Sequence, residues 1–186
     1  MDVNGLFYPS NDVRKEAVKL ALKKEDIVEE SLAQIEIVKK GGVEISHLDS
    51  HGHLHKFPSF LAALPEIKKR SGIERVRRVQ NVFLNKPGLS PTSILNKCFD
   101  WRIAHTCCTT DYFYMSANNM ETGWADALLE KMGRLSQDAI IEVGVHPGHA
   151  DTEEERWRIA EYRDMVDFAE KVRKQGKHQI ITWKDV

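Results

Sequence analysis

Ala139-Ile-Ile-Glu-Val-Gly-Val145 is the clearest β-strand signal in the chain, and it runs straight into His146-Pro147-Gly148. The run is apolar and β-branched, and a Pro-Gly pair turns the chain, so a strand is expected to end at His146. Alternation sets Glu142, Gly144 and His146 on one face and Ile141, Val143 and Val145 on the other. Helical patterns flank it, from Gly123 to Leu135 before and from about Thr152 to Gln175 after. Working outward, shorter strand signals fall at Val43–Asp49, Val76–Phe83 and Gln179–Trp183. Between them lie helices starting near Asp26 and closed by Gly41-Gly42, from Phe60 to Arg70 and closed by Ser71-Gly72, and around Ser93 to Asp100. The opening thirteen residues read as irregular surface chain. Strands alternating with helices predict an α/β fold with parallel strands, and 186 residues predict one domain, 1–186.

Bulk properties exclude several classes. Apolar content of 41% and charged content of 30% are those of an ordinary globular protein. A formal net charge of −1, with acids and bases interspersed, advertises no surface for nucleic acid. No apolar run is long enough to span a membrane, and the N-terminus lacks a signal-peptide pattern. Cys98, Cys107 and Cys108 make an odd set without CxxC spacing, which reads as reduced thiols in a cytoplasmic protein.

His47-Leu-Asp-Ser-His-Gly-His-Leu-His55 gathers half of the chain's eight histidines and one aspartate. On an extended strand His47, Asp49 and His51 share a face, and His53 and His55 join them if the strand continues. Residues two apart then sit roughly 7 Å apart, and residues four apart roughly 13 Å. With metal–nitrogen bonds of about 2.1 Å, one ion takes a single imidazole here, or two neighbours that converge. Gly52 permits a bend that takes His53 and His55 off that face. Imidazoles at the C-terminal end of a parallel strand lie where α/β folds place their sites, so metal or catalytic work is expected. His146 repeats the pattern of strand, histidine and loop.

Together, "HLDSHGHLHKFP" (47–58) and "IIEVGVHPGHAD" (140–151) resemble the two histidine motifs of the YdjC-like carbohydrate deacetylases, which include the chitooligosaccharide and hopanoid-associated deacetylases. The closing "ITWKDV" (181–186) resembles their C-terminal strand, and "EESLAQIE" (29–36) and "TTDYF" (109–113) are weaker matches in the expected order. The resemblance implies a deformed (β/α) barrel, incomplete here at its N-terminus. It implies removal of acetyl groups from N-acetylated sugars with one divalent ion, Mg²⁺ first and Zn²⁺ second. His51 resembles the metal-ligating histidine, and His146 the general acid that protonates the departing amine. Asp49, His53 and His55 would be neighbouring residues that orient the site. Apart from the resemblance, Arg77 or Arg78 in "RVRRVQ" (75–80) is a candidate contact to the sugar, or else surface charge.

Family members open with a strand ending in an Asp-Asp pair, then another histidine, before the segment resembling "NGLFYPS" (4–10). On that resemblance the chain corresponds to the C-terminal two-thirds of such an enzyme, with one metal ligand of three. It then calls for a complementing N-terminal segment, self-association, or a binding role without turnover. A rival is the amidohydrolase and TatD-like group, whose Asp-x-His-x-His pattern fits Asp49-Ser-His-Gly-His53 and would make His51 and His53 paired ligands. That group opens its domain with this strand and continues far beyond the second motif; here a helix precedes it and forty residues follow His146.

Overall fold

The computed structural model describes residues 8–84, 91–116, 123–146 and 156–186, apart from the side chains of Ser10 and Thr92. They form a mixed α/β chain that divides into two compact units: Met1–Val79 with Asn96–Thr109, and Gln80–Leu95 with Thr110–Val186.

The first unit holds α1 (Ser10–Val18), α2 (Lys24–Lys40), a 3₁₀ turn (His51–Lys56), α3 (Pro58–Ser71) and, from Asn96 on, α4 (Pro91–Thr106). Ile27 and Val28 of α2 pack on Ala63 and Ile67 of α3, surrounded by Leu22, Leu32, Ile35, Leu48 and Phe60. α3 starts at Pro58, which suits a first turn whose N–H groups need no partner, and ends at Gly72 in the left-handed conformation (φ 74°). Leu61, Val79 and Ile103 form a second buried group with Phe99 and Cys107. Three extended segments join through parallel bridges, Leu48 with Val76 and Arg75 with Cys108. The strand expected over Val43–Asp49 narrows to the bridge at Leu48, because Val43 is 57% exposed and its β-branched side chain meets no core.

The second unit is built on β1 (Tyr112–Met115) and β2 (Ile141–Gly144), paired in parallel with Tyr112 opposite Ile141 and Met115 opposite Gly144. Parallel neighbours need a crossover, and α5 (Trp124–Met132) lies in it; α6 (Trp157–Gln175) follows β2. The buried stripe of α5, Trp124, Ala125, Leu128, Leu129 and Met132, meets Phe168 and Val172 of α6. Tyr114, Trp124 and Phe168 stack in series at 5.6 Å and 5.5 Å between ring centres. Each fully buried side chain of this size contributes roughly 1.5–3 kcal/mol. Ile141, Val143 and Val145 pack against this core, as the alternation predicts. Gly144 is required by close approach: a Cβ there would stand 2.9 Å from the Phe113 ring.

Of two further expected strands, Val76–Phe83 is reduced to isolated parallel bridges, Val76 with Leu48 and Val82 with Tyr114, and Gln179–Trp183 is replaced. In Val76–Phe83 the buried residues are Val76, Val79 and Val82, a spacing of three that no regular strand gives. Near its end the Asn81 side chain takes over part of the ladder, its Oδ1 accepting from the Phe113 N–H at 2.8 Å while the N–H groups of Asn81 and Val82 both donate to the Phe113 carbonyl. Gln179–Trp183 is not a strand. Ile180 and Ile181 are exposed, and a reciprocal cap turns the chain into a 3₁₀ turn (Trp183–Asp185). There Asp185 accepts from the Thr182 N–H and Thr182 Oγ1 from the Lys184 N–H. β1 and α1 were not foreseen. Among the described residues no helix is long and apolar enough to cross a membrane.

Candidate functional site

After the bridge at Leu48 the chain stays extended to Ser50 and then curls. Gly52 (φ 58°, ψ 25°) and His53 (φ 55°, ψ 42°) are both left-handed, so the strand ends there and the next residues turn back on it. For a histidine this conformation costs about 1–2 kcal/mol, which the surrounding contacts must offset. Gly52 suits the turn, and Arg14 closes over it. The glycine's φ is positive, and the space a Cβ would fill holds the guanidinium of Arg14, whose Nη2 donates to the Gly52 carbonyl at 3.3 Å.

The curl brings His53 and His55 back to Asp49, with their Nδ1 atoms 3.9 Å and 3.7 Å from Asp49 Oδ1. Ser50 locks the arrangement. Its Oγ accepts from the His55 N–H at 2.9 Å and lies 2.7 Å from His55 Nδ1. Arg77 pairs with the other oxygen of Asp49. It stands there because the Leu48–Val76 bridge sets residue 77 beside residue 49, with the Arg77 N–H donating to the Leu48 carbonyl at 2.9 Å. Arg77 thus holds Asp49 in place, and one edge of the Arg78 guanidinium donates to both oxygens of Asp100, at 2.7 Å and 2.9 Å.

His55 is 6% exposed, and burial lowers its pKa to about 4 against the pull of the Asp49 carboxylate, with His53 adding to the depression. A neutral imidazole with a free lone pair is what a metal ion takes. His55 Nε2 is buried with no hydrogen-bond partner among the described residues. Donor atoms of Asp49, His53 and His55 lie within 4.8 Å of one another, near the roughly 4 Å that two metal–ligand bonds can span. These three residues therefore fit a divalent ion. His51, at the exposed start of the turn, falls outside this group. His47 lies beside Ser46, whose Oγ is 3.0 Å from its Nδ1.

His146 belongs to the second unit. Its N–H donates to Glu161 Oε2 at 2.8 Å, its Nδ1 lies 3.4 Å from the same oxygen, and its ring meets Trp157 edge-on at 5.6 Å. Its side chain is 46% exposed while that of Glu161 is 5% exposed. On the same strand face Glu142 Oε1 accepts from the Trp183 indole N–H at 3.2 Å. His149 and Asp151 lie outside the described residues. The sequence reading missed Glu161 and Ser50. Glu161 carried a signal: with Met165, Phe168 and Val172 it continues the inward stripe of α6 at spacings of four, three and four. Ser50 carried only its place before a turn.

A family model described as YdjC-like protein matches residues 1–179. Carbohydrate deacetylases of Vibrio parahaemolyticus serotype O3:K6 and Vibrio campbellii are each 27% identical to the chain, over 126 and 134 residues. These alignments take in 67% and 72% of the chain but 41% and 44% of the relatives, so the chain spans less than half the length of the curated relatives it matches. A crystal structure from Enterococcus faecalis V583, of a protein named provisionally for cellobiose-phosphate cleavage, superposes with a TM-score of 0.72 at 16% identity, covering 100% of this chain and 67% of that one. That likeness speaks to the fold alone.

Proposed function

This chain belongs to the YdjC-like family, and on that premise we propose that it takes part in metal-dependent removal of acetyl groups from N-acetylated sugars. The observation that carries the reading is the convergence of donor atoms of Asp49, His53 and His55 within 4.8 Å of one another. We assign the ion to this triangle because its donors already converge, and place His51, the ligand implied by the family motif, at the exposed rim of the same turn. One carboxylate and two imidazoles suit Zn²⁺ or a similar transition ion better than Mg²⁺, which prefers an all-oxygen shell. When bound, the ion supplies a Lewis acid for the acetyl carbonyl and a lowered pKa for water.

Several of the chain's own residues would serve that chemistry. Arg77 holds one oxygen of Asp49 and leaves the other for the imidazoles. Ser50 fixes the ring of His55. His146 acts as the general acid, giving its proton to the amine nitrogen as the amide breaks. A barrel-like (β/α) closure is part of the same proposal, supported by the parallel bridges in each unit, and so is a cytoplasmic location, in keeping with the free thiols of Cys98, Cys107 and Cys108. The TatD-like alternative is set aside by family membership.

The test is acetate release from N-acetylated amino-sugar oligosaccharides. Release that a chelator stops, that added Zn²⁺ restores and that His146→Gln abolishes supports the reading. Binding of the ion with no acetate released from any such substrate refutes it.

A further inference from the structure

We propose that Glu161 is the positioning residue for His146: its buried carboxylate holds the imidazole with Nδ1 inward and Nε2 outward, toward the nitrogen that is to be protonated. The inference rests on the reading of His146 as the general acid.

The position of Glu161 is the first observation. Met165, Phe168 and Val172 occupy the same inward stripe of α6 and pack in the core, and periodicity asks for a fourth apolar residue at 161. A carboxylate stands there instead, 4% exposed. A buried carboxylate without partners is strongly disfavoured, so its contacts carry the reason for its place. The ones it makes with His146 are two. The His146 N–H donates to Oε2 at 2.8 Å, which anchors the carboxylate at the end of β2. Nδ1 of the same residue lies 3.4 Å from the same oxygen, a small rotation of the ring from a full hydrogen bond.

The second observation is the wall on the other side. Trp157 precedes Glu161 by four residues, so both project from one face of α6. Its indole meets the His146 ring edge-on at 72° and 5.6 Å, and the Arg158 guanidinium lies 5.2 Å from the Trp157 ring. One helical face therefore offers a carboxylate for Nδ1 and an aromatic wall for the ring, while the side chain stays 46% exposed. That exposure leaves Nε2 as the nitrogen able to meet a substrate.

In the step itself the Nε2–H bond of the imidazolium breaks, and its proton forms an N–H bond on the departing amine. The C–N electron pair goes to that nitrogen. His146 is left neutral, with its remaining proton on Nδ1 facing Glu161. A carboxylate behind Nδ1 favours this tautomer and this orientation over the reverse.

The test is ¹⁵N NMR of the full chain labelled at histidine, with His146 assigned from the signal lost in His146→Gln. At about pH 8, where histidine is ordinarily neutral, wild-type His146 is expected to carry its proton on Nδ1 with Nε2 bare, and Glu161→Gln to shift the population toward Nε2–H. A wild-type ring protonated on Nε2 overturns the inference, and this holds even if the variant fails to fold; so does a folded Glu161→Gln with an unchanged tautomer. In acetate release, Glu161→Gln is expected to lower kcat by about 10–100-fold with KM nearly unchanged; raised KM at constant kcat also overturns it. If wild type releases no acetate, the general-acid reading falls, while the tautomer of His146 still decides what Glu161 does to the ring.

Discussion

Acidification is expected to unfold the metal-free protein through His55 in particular. In the fold, burial holds this imidazole neutral down to about pH 4, against an ordinary value of 6.5 in the unfolded chain. Between those values the unfolded chain binds a proton that the folded chain refuses, so stability falls as pH falls. The contribution is whole above pH 6.5 and gone by about pH 4. A gap of about 2.5 pH units is worth about 3 kcal/mol, or roughly 300-fold in the folding equilibrium. His55→Asn sets a polar atom where Nδ1 meets Ser50 but cannot titrate. Urea unfolding in EDTA, followed by tryptophan fluorescence at pH 7 and at pH 4, compares the two proteins. Wild type should lose about 3 kcal/mol more than the variant across that interval. Equal losses would show that protonation of His55 is not what weakens the fold, and the account of its burial would be wrong.

Three further outcomes are expected. Calorimetric titration with Zn²⁺ should show one ion per chain, with affinity cut at least about tenfold by His55→Ala and nearly unchanged by His51→Ala; the reverse order would return ligation to His51. Gly144→Ala drives a methyl into the Phe113 ring and should cost about 1–3 kcal/mol in chemical denaturation, and an unchanged midpoint would mean the ring is free to move. Leu20, 62% exposed with φ 58° just past the end of α1, should give up to about 1 kcal/mol of added stability as Leu20→Gly; a lower midpoint would contradict the strain assigned to it.

Much of this molecule was legible where period and burial agree. The strand at 141–144 read directly because Ile141 and Val143 do face a core, α5 falls inside the helix expected over Gly123–Leu135, and Gly41 and Gly72 mark the ends of α2 and α3. Isolated runs misled. Val43 and Ile180 have the residue type of a strand and no surface to pack against, while the short aromatic β1 gave too few residues for alternation to show. At the site, the residue types were legible and their geometry was not. A strand repeat placed His53 and His55 roughly 13 Å or more from Asp49, and the left-handed pair at 52 and 53 reverses that separation. Sequence offers the glycine as a licence to bend but does not say that the histidine after it bends too. Glu161 was hidden for the opposite reason, since a carboxylate signals exposure and only its register with Met165, Phe168 and Val172 points inward.

The reversed turn has a consequence for how the protein comes to possess its site at all. Asp49, His53 and His55 are four and six positions apart, so the triangle is drawn by one local loop rather than by strands brought together from across the chain. The entropy of closing a loop grows with its length, and a loop this short closes early and cheaply. Closing the loop therefore asks little of the chain, and what keeps it closed comes from farther away: Arg14 reaches the Gly52 carbonyl from 38 residues upstream, and Arg77 grips Asp49 from 28 residues downstream.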